Sequence, residues 1–264
     1  MKLGVLVVSF GTTHLDTLDK TIRPTEQALS AAFSDATIYR AFTSGMVRKR
    51  LERELDIHVD SVAQAMDRMR ADGVDRAVIQ TTLLIPGEEF DLLRREVLAN
   101  AGEMETVLGL PLLWDDSDLI AIMDIVAGAY PLGEGETLVM MGHGTRHAAN
   151  ELYTRLDQRM EQRGGQMILT TVEGTPSFED AIAKLKARPS RRVQVAPLLL
   201  VAGDHAKNDM AGDGADSLRR RLESEGFQVS CHICGLGELS AVRDRIVRRA
   251  KAAYEALEGS TPMA

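Results

Sequence analysis

Aromatic side chains are scarce. They make up 4% of the 264 residues, with a single tryptophan, so a hydrophobic core has to be assembled from Leu, Val, Ile, Ala and Met. Cysteine is scarcer still, at two residues. That excludes a disulfide-built secreted scaffold and suits a reducing cytoplasm. A surplus of positive charge is also missing. The formal net charge is −8, which disfavours nonspecific partnership with nucleic acid or an anionic membrane, since both reward basic surfaces. No stretch approaches the ~20 consecutive apolar residues of a membrane span. The apolar run Leu3–Val8 behind Met1 and Lys2 is shorter than the roughly 7–15 residues of a signal-peptide core. No small-residue cleavage site follows it, so it reads as a first buried strand of a cytoplasmic protein. What is present is 44% hydrophobic and 27% charged. That composition packs into a soluble fold, with length for two α/β lobes or one large domain.

Short apolar runs alternate with longer amphipathic stretches, the pattern of a parallel sheet covered by helices on both faces. Strands are expected at Leu3–Val8, Thr37–Ala41, Arg76–Ile85 and Val107–Leu113, then at Thr137–Met141, Met167–Val172, Arg192–Val201 and Gln228–Ile233. Helices are expected at Asp16–Phe33, Ser61–Ala71, Glu88–Asn100 and Asp116–Ala129, then at Ala148–Gln162, Ser177–Ala187, near Gly214–Glu225 and at Leu239–Leu257. Pro131 and the glycines of Tyr130–Gly135 punctuate the middle of the chain. They predict two α/β lobes, 1–130 and 131–264.

An internal echo supports two related lobes. SFGTTH at Ser9–His14 corresponds to GHGTRH at Gly142–His147, and LLIPGEE at Leu83–Glu89 to LLVAGDH at Leu199–His205. This places Phe10 opposite His143, Phe42 roughly opposite Glu173, and Glu89 opposite His205. Metal-type side chains are thereby concentrated in the second lobe.

In a parallel α/β sheet, ligands bind beyond the carboxyl ends of the strands. The polar residues placed there are His143, Glu173 and His205 in the second lobe, and Ser9, Thr12, Thr13, Thr43, Ser44, Glu88 and Glu89 in the first. Two imidazoles and a carboxylate suit a borderline divalent cation such as Co2+, Ni2+, Fe2+ or Zn2+, and can also accept protons near neutral pH. Each residue alone has a plainer reading: His143 as a satisfied turn residue between Gly142 and Gly144, Glu173 as a solvated side chain, His205 as the start of a helix. GHGTRH completes neither glycine pattern of a nucleotide-binding loop, so no nucleotide is expected, and VMMGHG lacks the serine of a nucleophile elbow. Cys231 and Cys234 form a single CxxC without a second pair, so buried thiols are expected rather than a zinc knuckle. His14, His58 and His232 are expected to be structural or exposed. Arg48-Lys49-Arg50 and Arg219-Arg220-Arg221 read as solvated helix faces, the first with steering of an anionic substrate as its alternative.

The sequence resembles the anaerobic sirohydrochlorin cobaltochelatases, within the class II chelatase superfamily that also holds protoporphyrin ferrochelatase. The motifs that carry this are VVSFGTTHLDT, YRAFTSGM, IPGEEF, MGHGTRH, VEGTPSF, PLLLVAGDHAKNDMAG and GLGE, spread nearly end to end. The resemblance implies two lobes, each a parallel four-stranded sheet flanked by helices, with the active site in the cleft between them. It implies metal ligation and catalysis by His143, Glu173 and His205, and sirohydrochlorin as partner. For the tetrapyrrole wall the expected residues are Ser9, Thr12, Thr13, Ser44, Met46 and Lys207. Some relatives carry a third-strand histidine that binds haem between subunits; Gln80–Ile85 has none, so no haem is expected. The expected reaction takes sirohydrochlorin and Co2+ to cobalt-sirohydrochlorin in anaerobic cobalamin biosynthesis. The alternatives are Fe2+ insertion for siroheme, Ni2+ insertion, and a carrier of metal or tetrapyrrole that performs no chemistry. A homo-oligomer is expected from the resemblance alone.

Overall fold

The two most continuous apolar runs, LGVLVVS and ETLVMMG, become the strands on which everything else is hung. A computed structural model of the chain describes residues 1–189 and 191–259. Its chain divides into two units: Met1–Trp114 together with the chain from Ser240 onward, and Asp115–Leu239.

The first unit contains β1 (Leu3–Ser9), α1 (Leu15–Lys20), α2 (Ile22–Ala32), β2 (Thr37–Phe42), α3 (Gly45–Leu55), α4 (Val62–Ala71), β3 (Arg76–Thr81), α5 (Glu88–Asn100) and β4 (Glu105–Gly109). Its strands are all parallel, in the order β2-β1-β3-β4. The interior strands β1 and β3 are almost wholly buried, which is why β1 reads as an unbroken apolar run rather than an alternating one; β3 buries the polar Arg76, Gln80 and Thr81 as well. On one face Val62, Ala65, Met66 and Met69 of α4 and Phe90, Leu93 and Val97 of α5 pack with Leu6, Val8, Ala77 and Ile79 of the sheet. Burying each large aliphatic side chain contributes roughly 1.5–3 kcal/mol. Helix α4 starts where Ser61 and Gln64 close a capping box.

The second unit contains α6 (Asp116–Ala129), β5 (Glu136–Gly142), α7 (Glu151–Gln162), β6 (Met167–Thr171), α8 (Phe178–Lys186), β7 (Arg192–Pro197), a wide turn at His205–Met210, α9 (Leu218–Ser224) and β8 (Gln228–Cys231). The strand order is β6-β5-β7-β8, again all parallel and with the same topology as the first sheet. The expected fold, two four-stranded α/β units, is therefore the observed one.

Three differences from the sequence reading have physical causes. The boundary expected at residues 130 and 131 lies earlier, at Trp114 and Asp115. Helix α6 belongs to the second unit, where Asp116 pairs with Arg155 and Arg159 of α7 and Asp124 pairs with Arg163. The YPLGEG segment is built into that unit too. Tyr130 Oη donates to Cys234 O at 3.4 Å, and Pro131 O accepts from Gln194 Nε2 at 3.2 Å. Conversely, the closing helix α10 (Ser240–Gly259) returns to the first unit and packs on β4, β3 and α2. There the Tyr254 ring meets Phe33 edge to face at 5.9 Å. Second, the helix expected over Asp16–Phe33 is broken at Thr21 into α1 and α2, and α3 forms where apolar spacing gave no strand or helix, because only Leu51 of it is buried. Third, the apolar runs after β3 and β7 leave the strand early but stay tethered, since Leu83 O and Leu84 O accept from Leu112 N and Leu113 N, and Leu199 O and Leu200 O from Leu236 N and Gly237 N.

Candidate functional site

The turn GHGT leaves β5 with His143 one residue past the strand. Gly144 has φ +80°, a backbone state that glycine adopts freely. A Cβ there would stand 2.5 Å from Gly174 N and 2.8 Å from Thr171 Cβ, so no larger residue fits. This close approach brings the VEGT loop after β6 against the GHGT loop after β5. Val172 N donates to Gly142 O at 3.1 Å and Glu173 N to His143 O at 2.8 Å. Asn150 locks the pair: its Oδ1 accepts from Thr145 N at 3.1 Å, and its Nδ2 donates to Thr175 O at 2.9 Å. Beneath them Tyr153 is buried against Gly142, and burial raises its pKa far above the ordinary phenol value.

His205 opens the wide turn, in which Ala211 N donates to Ala206 O, five residues back. This turn sets the His205 ring edge to face against the His143 ring, with centroids 4.6 Å apart. His143 Nδ1 lies 2.8 Å from Gly144 O. A carbonyl only accepts, so Nδ1 carries a proton, and in the neutral imidazole Nε2 is then the lone-pair atom. His205 Nδ1 lies 2.7 Å from Asp209 Oδ2, and an ionised carboxylate fixes the same tautomer. Two adjacent imidazoles thus each leave Nε2 as the lone-pair atom, the state that binds a metal ion.

Of the three expected ligands, then, two meet. Glu173 is exposed, tied to His143 only through its backbone. Among the described residues no three His, Cys, Asp or Glu side chains are grouped to hold a metal ion.

The six expected wall residues fare differently. Ser9 Oγ accepts a buried hydrogen bond from Thr82 Oγ1 at 2.8 Å. Thr12 is buried and accepts from His14 N at 3.1 Å. Ser44 is buried as the N-cap of α3, accepting from Val47 N at 3.3 Å. These three are engaged in holding loops. Thr13 and Lys207 are half-buried, and Met46 is 80% exposed. Glu89 is half-buried, with its Oε2 enclosed and without a hydrogen-bond partner.

The hydrogen-bond register also corrects one internal correspondence. Thr43 N donates to Ser9 O and Ser44 N to Phe10 O, matching Val172 to Gly142 and Glu173 to His143. Ser44, not Phe42, is the counterpart of Glu173. Phe10 remains the counterpart of His143 and is 47% exposed.

Asp209, Asn150 and Tyr153 were missed from sequence. Asp209 has a signal, four residues after His205 on a helix-like stretch; the other two have none, because their roles depend on contacts with distant loops. The two cysteines are free and half-buried rather than buried, and burial pushes the Cys231 thiol up. His58 pairs with Asp60 at 3.2 Å and His232 Nε2 lies 2.9 Å from Gln194 Oε1.

A family model described as Cobalt chelatase (CbiK) matches residues 3–255. The chain is 37% identical over 249 residues to the sirohydrochlorin cobaltochelatase of Salmonella typhimurium, covering 94% of each chain. It is 29% identical over 262 residues to the sirohydrochlorin cobaltochelatase CbiKC of Nitratidesulfovibrio vulgaris, covering 97% of this chain and 92% of the relative. Among solved structures, SirB from Bacillus subtilis with Fe3+ superposes with a TM-score of 0.68 at 13% identity, covering 98% of both chains. That last likeness concerns the fold alone.

Proposed function

We propose that this chain, which belongs to the cobalt chelatase (CbiK) family, inserts Co2+ into sirohydrochlorin with release of two protons. The observation that carries the reading is the pair of touching imidazoles, each held through Nδ1 so that Nε2 is the lone-pair atom. Insertion needs an ion stripped of water and then surrendered. Two imidazoles fixed in advance hold a borderline cation, and a third ligand that joins only with the ion keeps it from being held too well. Glu173 is assigned as the ligand that joins when the ion arrives; its amide bond to His143 O supports this, since the loop that carries it is tied to the first ligand. As the ion passes to the macrocycle, the freed Nε2 atoms of His143 and His205 accept pyrrole protons.

Fe2+ insertion, which would yield siroheme, competes with this assignment of the metal, and raw affinity at nitrogen and oxygen sites rises from Fe2+ through Co2+ to Ni2+. We read the compartment as the cytoplasm: no described helix is long and apolar enough to cross a membrane, and both cysteines are free. We propose a homo-oligomer on the family resemblance alone, and light scattering tests it.

The deciding experiment is anaerobic absorbance of sirohydrochlorin with Co2+, Fe2+ or Ni2+ and catalytic amounts of protein. Loss of the free-base spectrum, fastest with Co2+, is expected. Tight binding of the tetrapyrrole without accelerated insertion of any metal would replace the chelatase with a carrier.

A further inference from the structure

The basic run after β2 is not a uniform solvated face. Arg50 pairs with Glu54 at 2.9 Å. Arg48 has no ion-pair partner among the described residues, and its Nε is buried without a hydrogen-bond partner. Thr43 Oγ1, at the other end of the same loop, is also buried without a partner. A buried donor with nothing to donate to is costly, and two of them on one six-residue stretch of a well-packed unit call for a ligand that completes both.

Their position fits such a ligand. Thr43 N bonds Ser9 O at 2.9 Å, Ser44 N bonds Phe10 O at 3.2 Å, and Arg48 N bonds Ser44 O at 3.1 Å. The stretch is thus sewn to the carboxyl ends of β1 and β2, the edge at which α/β sheets take ligands. The Arg48 guanidinium folds back over the start of α3, where a Cβ on Gly45 would stand 3.6 Å from Nη2. Beside it on the same loops, Phe10 and Met46 stay exposed although both are large and apolar. An unpaired guanidinium and a hydroxyl next to uncovered apolar side chains match a ligand with an acid group on the rim of a flat apolar ring. Guanidinium is the group best shaped for a carboxylate, which it grips with two parallel N–H donors.

We propose that Arg48 and Thr43 form a carboxylate subsite for a peripheral acid side chain of the tetrapyrrole, while Phe10 and Met46 meet its ring. Arg48 is then the residue that selects acidic over neutral tetrapyrroles. This rests on the chelatase reading above, and it gives the Arg48 run the role of a specific contact rather than of diffuse steering.

The test titrates metal-free sirohydrochlorin, and separately its methyl ester, into the wild-type protein and the variants Arg48→Met, Arg48→Lys and Thr43→Val, with circular dichroism to verify folding. Arg48→Met should weaken binding of the acid about tenfold, in line with loss of one charge-assisted hydrogen-bonding group, and leave binding of the ester unchanged. Thr43→Val should act in the same direction and less. Arg48→Lys, which keeps the charge but not the two-pronged donor, should recover part of the loss and serves if Arg48→Met does not fold. In turnover, KM rises and kcat holds. Equal weakening of acid and ester, or no weakening of the acid, would overturn the subsite. A wild-type protein that binds the acid through Arg48 but inserts no metal would leave the subsite standing and remove the chelatase reading; one that binds neither tetrapyrrole removes both.

Discussion

Thr12 Oγ1 accepts the amide of His14 at 3.1 Å, and Thr145 Oγ1 accepts the amide of His147 at the same distance. Thr82 N bonds Val8 O in the first unit as Leu198 N bonds Met141 O in the second, and Leu112 N bonds Leu83 O as Leu236 N bonds Leu199 O. Gly11 and Gly144 share a positive φ, +102° and +80°. The two units therefore repeat one backbone down to single hydrogen bonds, and differ in what that backbone presents at three equivalent places. The first presents Phe10, Ser44 and Glu89, the second His143, Glu173 and His205. The lesson is that the loop geometry is independent of the side chains it presents. A backbone that presents an apolar ring and a helix cap in one unit presents two imidazoles and a carboxylate in the other, so the chemistry proposed for the second unit would rest on a few substitutions and their immediate supports.

The sharpest way to test that division is to remove the side chains that differ. His143→Ala and His205→Ala should each lower metal insertion by roughly 10²-fold or more with the melting temperature little changed, whereas Phe10→Leu in the first unit should raise KM and leave kcat standing. Steady-state absorbance assays separate these, and full activity in either histidine variant would end the role assigned to it.

Next in size is an attack on the shared backbone. Gly144→Ala meets the amide of Gly174, while Gly11→Ala meets the Phe42 ring, with Cβ placed 2.5 Å from Cδ2. Both require a strained φ, but backbone cannot yield as a ring can. Gly144→Ala is expected to cost about 2–3 kcal/mol and Gly11→Ala less, read as the difference in urea midpoints. The reverse order would mean that the Phe42 ring yields less than the Gly174 backbone.

A smaller effect is expected where the second unit has added a support of its own. Asp209→Ala removes the acceptor that holds His205 and should reduce Co2+ insertion by about 10–100-fold, with partial recovery in Asp209→Asn, whose amide oxygen still accepts from Nδ1–H. A structural role alone would move the melting temperature and not distinguish the two variants.

The smallest expected change contrasts the equivalents Ser44 and Glu173. Ser44→Ala removes the cap of α3 and should cost about 1 kcal/mol. Glu173→Gln alters an exposed side chain and should stay within about 0.5 kcal/mol of the wild type in stability while slowing metal insertion. Thermal melts and initial rates on the same two preparations decide whether the roles divide in this way.

Much of the fold was legible in the sequence because it is written locally. Continuous apolar runs marked β1 and β5, and Ser61 and Ser177 marked the starts of α4 and α8, each through a capping box that closes within three residues. The three metal-type residues were legible for the same reason, since each stands just past an apolar run. The repeat was legible in its ends, SFGTTH against GHGTRH, but its middle was misaligned by two residues until the hydrogen bonds of Thr43 and Ser44 fixed the register. Helix α3 escaped because one buried leucine makes no periodic pattern.

By itself, then, the sequence determined two parallel α/β units, because strand, turn and cap preferences act over a handful of neighbouring residues. Tertiary structure alone decided that α10 returns to the first unit, that YPLGEG lies within the second, and that Ser9, Thr12 and Ser44 spend their hydroxyls on loops. It also decided that two of the three expected ligands touch while Glu173 stands apart, and that the Arg48 side chain has no ion-pair partner among the described residues. Each of these depends on which groups meet across long stretches of chain, and neither periodicity nor motif spacing carries those distances.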